Sequence, residues 1–141
     1  MNLDRKENAK KTVLIVEDDP VNVRVFSKIL TKRGHLNVKH TENVEEVMEI
    51  AAAREADIIL MDVSLARSVY QGKSVDGIKI TQILKADPNT KDLPIILVTA
   101  NAMPGDREDF LERSGADSYI SKPVIDHQEF ISQIKQLLPS E

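Results

Sequence analysis

Residues Val13 to Pro20 read VLIVEDDP: four unbroken apolar residues, three acids, then a proline. An uninterrupted run of Val, Leu and Ile suits a strand buried on both faces better than one with a wet side. Asp19-Pro20 is a helix-opening pair, with Asp as N-cap and Pro at the first helical position. The stretch therefore predicts a strand that ends in carboxylates and passes directly into a helix. Val23, Phe26, Ile29 and Leu30 recur at spacings of three and four, and Gly34 is expected to stop that helix.

The alternation continues outward from this unit. Val38 and His40 mark a short edge strand, and Val44, Val47, Met48 and Ala51 line a second helix. Ile58 to Met61 is a third apolar run, ending in Asp62. A loop over Val63 to Val75 leads to a helix carrying Ile80, Ile83 and Leu84. Ile95 to Val98 is a fourth strand, followed by a helix over Pro104 to Ser114 with Gly115 as its C-cap. Tyr119 to Ser121 is a fifth strand, and Phe130, Ile131, Ile134, Leu137 and Leu138 line a last helix. Strands alternating with helices imply an α/β fold with βαβ units and a parallel sheet. The 141 residues fit one domain. Residues 1–10 are expected to form a flexible tail and 11–141 the domain. The chain ends three residues after Leu138, so no effector domain is expected.

Composition narrows the function classes. Without cysteine there is neither a disulfide framework nor a thiolate zinc site. No apolar run approaches the roughly 18 residues of a membrane span, and MNLDRKENAKK lacks a signal-peptide core. The expectation is a cytoplasmic protein with no membrane insertion. Nineteen basic and 23 acidic residues give a net charge of −4, with the basic residues scattered. No direct contact with nucleic acid is expected.

Ligands of open α/β sheets bind beyond the carboxyl ends of the strands. At those ends stand Glu17, Asp18 and Asp19, then Asp62, then Thr99, then Lys122-Pro123. Clustered carboxylates repel one another unless a cation intervenes, and Mg²⁺ favours a few carboxylates together with water and phosphate oxygens. A carboxylate can also attack phosphorus as a nucleophile, while a Lys neutralises the charge being transferred. A Thr hydroxyl can report whether the phosphoryl oxygen is present. By contrast, His35, His40 and His127 show no ligand spacing and read as structural or solvated. The charges from Asp106 to Arg113 read as a solvated helix face.

VLIVEDD, ILMD, VTA and YISKP, in order at successive strand ends, resemble the receiver domains of two-component response regulators over about Lys11 to Leu138. The resemblance implies a flavodoxin-like, doubly wound five-stranded parallel sheet of order 2-1-3-4-5 with five helices, as in chemotaxis-type single-domain receivers. It implies Asp62 as the phosphoacceptor, charged by a sensor histidine kinase or a histidine phosphotransfer protein, and a downstream protein target. It further implies Mg²⁺ held by Asp18 and Asp62 directly, by Glu17 through water and by the backbone carbonyl of Ser64. Thr99 and Tyr119 match the switch pair, Lys122 the phosphate-binding cation, and Pro123 a residue following a cis peptide. Asn101 and Ser64, each two residues past a signature position, are expected to tune the access of hydrolytic water. One departure stands out: Asp76-Gly77, which opens the third helix, arrives only after an added stretch, Ala66 to Val75.

Two other classes compete. A Mg²⁺-dependent phosphatase of the haloacid-dehalogenase type would carry a DxDxT motif after its first strand, which is missing here. A constitutive interaction domain that no longer takes phosphate would not need the acids, Thr99 and Lys122 together. The expectation is therefore a switch that catalyses only its own phosphorylation and dephosphorylation.

Overall fold

The computed structural model describes residues 10–63, 65, 69–100 and 103–138. Five strands, β1 (Thr12–Val16), β2 (Asn37–Thr41), β3 (Ile58–Asp62), β4 (Ile95–Thr99) and β5 (Ser118–Ser121), form one parallel sheet. Their order is 2-1-3-4-5. Five helices connect and follow them: α1 (Pro20–Lys32), α2 (Val44–Ala52), α3 (Gly77–Ala86), α4 (Asp106–Ser114) and α5 (His127–Leu137). This is the flavodoxin-like arrangement that the resemblance to receiver domains implied, and its parallel βαβ units are those that the alternation of strands and helices pointed to.

The unbroken apolar runs are explained by a sheet covered on both faces. Successive strand residues point to opposite sides, so Leu14 and Val16 join one cluster while Val13 and Ile15 join the other. The first cluster packs α2, α3 and the apolar edge of α4 against Ile59, Met61, Ile95 and Leu97. The second packs α1 and α5 against Ile58, Leu60, Ile96 and Val98. Phe26 of α1 and Phe130 of α5 meet there with ring centroids 5.5 Å apart. β2, on the sheet edge, is mostly exposed, in keeping with its polar sequence.

Side chains cap four helix starts. Asp19, Asn43, Asp76 and Asp126 each accept a hydrogen bond from a backbone N–H in the first turn of α1, α2, α3 and α5. α4 differs: it begins at Asp106 rather than Pro104, after Gly105 in a left-handed conformation with no side-chain cap. Gly115, at φ 80°, ends it as expected.

Two expectations change. α1 closes at Arg33, and the left-handed residue beyond it is His35 (φ 56°), not Gly34. Gly34 is needed for space instead, because a Cβ there would stand 2.8 Å from the Leu30 carbonyl oxygen. The connection from β3 to α3 is also more ordered than a simple loop. Val69–Tyr70 and Lys73–Ser74 pair as an antiparallel hairpin, in register Val69↔Ser74 and Tyr70↔Lys73. Its two turn residues, Gln71 (φ 52°) and Gly72 (φ 79°), both have positive φ, the twist that suits a two-residue hairpin.

Candidate functional site

The carboxyl ends of β1 and β3 bring three acids together. One oxygen each from Glu17, Asp18 and Asp62 lies within 4.8 Å of the others. Glu17 is 2% exposed and Asp62 3%. Lys122, beyond the end of β5, places Nζ 3.3 Å from Glu17 Oε1 and 3.5 Å from Asp62 Oδ1. The Lys122–Pro123 peptide bond is cis. Thr99, 3% exposed, ends β4 alongside Asp62 and pairs in register with Ser121.

Acids crowd this edge: Glu17, Asp18 and Asp62 stand together, and the Lys122 ammonium faces Glu17 and Asp62. Burial pushes the Glu17 carboxyl above its usual range, and the charge of Asp62 pushes it further. Lys122, the backbone N–H of Asp19 and the amide of Asn22 pull the other way without cancelling the shift. The donor set is all oxygen and partly buried. That fits a hard divalent cation that retains some of its water.

Two contributors to the site were missed in the sequence. Asn22 Nδ2, on the first turn of α1, points to Glu17 Oε2 at 3.5 Å. His40 Nε2 lies 2.9 Å from the Glu17 carbonyl oxygen; since that oxygen only accepts, Nε2 carries the proton. His40 therefore secures the acidic turn from β2. Only the β1–β2 register, which sets His40 opposite Ile15, makes this contact possible.

Tyr119 lies on β5 at 7% exposure, its ring 6.1 Å from that of Phe110. Its hydroxyl is buried and has no hydrogen-bond partner among the described residues. Burial raises the pKa of that hydroxyl, and the neighbouring Ser121 offsets part of the shift. A groove of about 500 Å³ runs along β5 between α4 and α5, lined by Pro104, Arg107, Tyr119, Ile125 and Glu129 among others. Ser64, Arg67 and Asn101 lie outside the described residues.

The response regulator receiver domain family model matches residues 13–135, which is most of the chain and includes every strand end just described. The chain belongs to that family. Receivers are signalling switches of two-component systems, and this one is a phosphorylatable response regulator. It is 37% identical over 128 residues to the polar-differentiation response regulator DivK of Brucella anthropi, covering 91% of this chain and 96% of that protein. Among solved structures it is similar to the receiver domain of the sensor histidine kinase PA1611 of Pseudomonas aeruginosa. The TM-score there is 0.76 and the identity 32%, over 94% of this chain and 100% of the other. That structure has a magnesium ion coordinated in the active site cleft. A signal receiver domain of a histidine kinase from Syntrophus aciditrophicus aligns with a TM-score of 0.73 at 30% identity, covering 91% of this chain and 89% of that one. No helix among the described residues of this receiver is long and apolar enough to cross a membrane.

Proposed function

We propose that this receiver accepts a phosphoryl group on Asp62 from a histidine kinase or histidine phosphotransfer protein in the cytoplasm, that the reaction requires Mg²⁺, and that the signal leaves through a changed protein-binding surface. The observation that carries the reading is the buried Asp62 carboxylate, held among Glu17, Asp18 and the Lys122 ammonium.

Asp18 and Asp62 would hold the ion directly and Glu17 through water, with the Ser64 carbonyl completing the protein's share. When bound, Mg²⁺ supplies positive charge to the phosphoryl oxygens and relieves the repulsion among the acids. An Asp62 Oδ attacks phosphorus as a carboxylate, so no proton has to leave it. The bond from phosphorus to the donor's imidazole nitrogen breaks, and its electron pair departs with the imidazole. Lys122 stands where it can neutralise charge on the group in transit.

The Thr99 hydroxyl then donates to a phosphoryl oxygen, and Tyr119 favours its inward position. Tyr119 is already buried, its hydroxyl without a well-formed hydrogen bond among the described residues, so its packing can respond to a neighbour's movement. The groove between α4 and α5 beside it is the surface that would change for the downstream target. Phosphorylation shifts this equilibrium only as far as its differential interaction with the two states allows.

Acetyl phosphate with and without Mg²⁺ tests the reading, scored by intact mass. Labelling is expected with the metal, and none in Asp62→Asn. Metal-dependent labelling that survives in Asp62→Asn would place the acceptor elsewhere and sink the assignment.

A further inference from the structure

The hairpin between β3 and α3 does not hang free. Tyr70 and Val75 pack against the apolar cluster beneath α2 and α3, as Met48 of α2 does. Between the hairpin and α3 this leaves a groove of about 800 Å³, lined by Tyr70, Lys73, Val75, Lys79 and Ile83 among others. Its lining is more apolar than that of the groove along β5, and a hairpin held by a tight two-residue turn makes one wall.

The charge on this groove is one-sided. Lys73 and Lys79 are exposed and make no ion pair among the described residues. The one carboxylate in the lining, Asp76, accepts from the backbone N–H of Lys79 at 2.9 Å as the cap of α3. An apolar floor with two exposed ammonium groups at its mouth complements an acidic segment that also carries apolar side chains. Two lysines over an apolar floor are a poor match for a nucleic-acid backbone, which is met by a basic stripe. Electrostatic attraction at a rim mainly sets which partner approaches, while an apolar pocket retains it.

We propose that the hairpin–α3 groove is a second docking surface, which takes an acidic, leucine-bearing segment of a partner protein. The surface is separate from the groove along β5 and does not require Asp62 to be phosphorylated.

The probes are three short synthetic peptides, one rich in Glu and Leu, one with its Glu replaced by Lys, and one with its Leu replaced by Ser. Each is titrated into the isotopically labelled full-length chain. The Glu/Leu peptide is expected to shift amides from Tyr70 to Ile83, less so at high salt, while the other two leave them unmoved. Lys73→Glu with Lys79→Glu is expected to weaken binding at least ~tenfold, with Mg²⁺-dependent labelling of Asp62 unchanged. Equal binding of the Lys/Leu peptide, shifts confined to Tyr119–Glu129, or full affinity in the double variant would each overturn the proposal. Concentration-dependent shifts of the same amides without peptide would also overturn it, because the groove would then belong to a second copy of the chain.

Discussion

Lys122 and Glu17, 105 positions apart in the chain, form an ion pair at 3.3 Å in which the carboxylate is almost fully buried. The same ammonium also faces Asp62, so Lys122 serves two buried acids. Removing one partner of a buried charge cluster costs more than the pair contributes in place, because the remaining charges are stranded. Lys122→Met is therefore expected to lose about 3 kcal/mol of stability without metal, with part recovered on adding Mg²⁺. Urea unfolding with and without Mg²⁺ measures both. A loss that Mg²⁺ leaves untouched would mean that the damage is to packing rather than charge.

Glu17 gives a pH dependence of definite sign. Its carboxyl is raised above the ordinary 4.5 in the folded chain, first by burial and then by Asp62. The folded state thus holds this proton more tightly than the unfolded state does. Stability contributed by the group falls as pH rises from about 4.5 through the raised value, and is level beyond it. Glu17→Gln is expected to be more stable than the parent at neutral pH without metal, and to converge with it in acid. Thermal unfolding across pH 4 to 8 measures the difference, and a gap that widens toward acid would contradict it.

Tyr119 carries a buried hydroxyl with no well-formed hydrogen bond among the described residues, a placement that costs free energy. Tyr119→Phe keeps the ring beside Phe110 and removes only that oxygen. The variant is expected to gain about 1 kcal/mol, read from chemical denaturation. A loss of similar size would show that the hydroxyl is satisfied in solution.

Gly77 opens α3 with its backbone pressed onto the acceptor. A Cβ there would overlap the Asp62 carbonyl oxygen, and the Gly77 N–H already donates to the Val63 carbonyl at 3.1 Å. Replacing a helical glycine by alanine ordinarily gains up to about 1 kcal/mol. Here the clash is with main chain, which has little freedom to move, and overpacking costs ~1–3 kcal/mol. Gly77→Ala is expected to be destabilised, and to label at Asp62 more slowly because the carboxylate is displaced. A more stable variant with unchanged labelling would refute the close approach.

The sheet could be read from sequence because VLIV, IILM and IILV are short unbroken apolar runs bounded by polar residues or proline, which suits strands covered on both faces. Asp62 and Lys122 were visible as residues at the end of one strand and just past the end of another, since strand order alone gathers them at one edge. The hairpin was not visible. Two-residue strands have no periodicity, and Gln71-Gly72 lacks the Asn or Asp that usually announces such a turn. The tie from His40 to the Glu17 carbonyl escaped for another reason: it depends on the three-dimensional register of an edge strand, and an isolated histidine carries no sign of it. Gly34 was read as a helix stop by residue type, whereas its role is to make room for the Leu30 carbonyl.

The division of the core into two clusters has a consequence for how far a local event travels. Tyr119 belongs to the cluster under α2, α3 and α4, and Tyr70 of the hairpin packs against that same cluster, whereas Ile120, the residue after Tyr119, belongs to the other. Interiors at crystal-like density compress very little, so volume vacated or claimed by the Tyr119 ring has to be absorbed within its own layer. That layer joins an aromatic on the last strand to an aromatic on the inserted hairpin, and the groove along β5, lined by Tyr119 together with Ile120 and Phe130, is where it meets the α1–α5 layer.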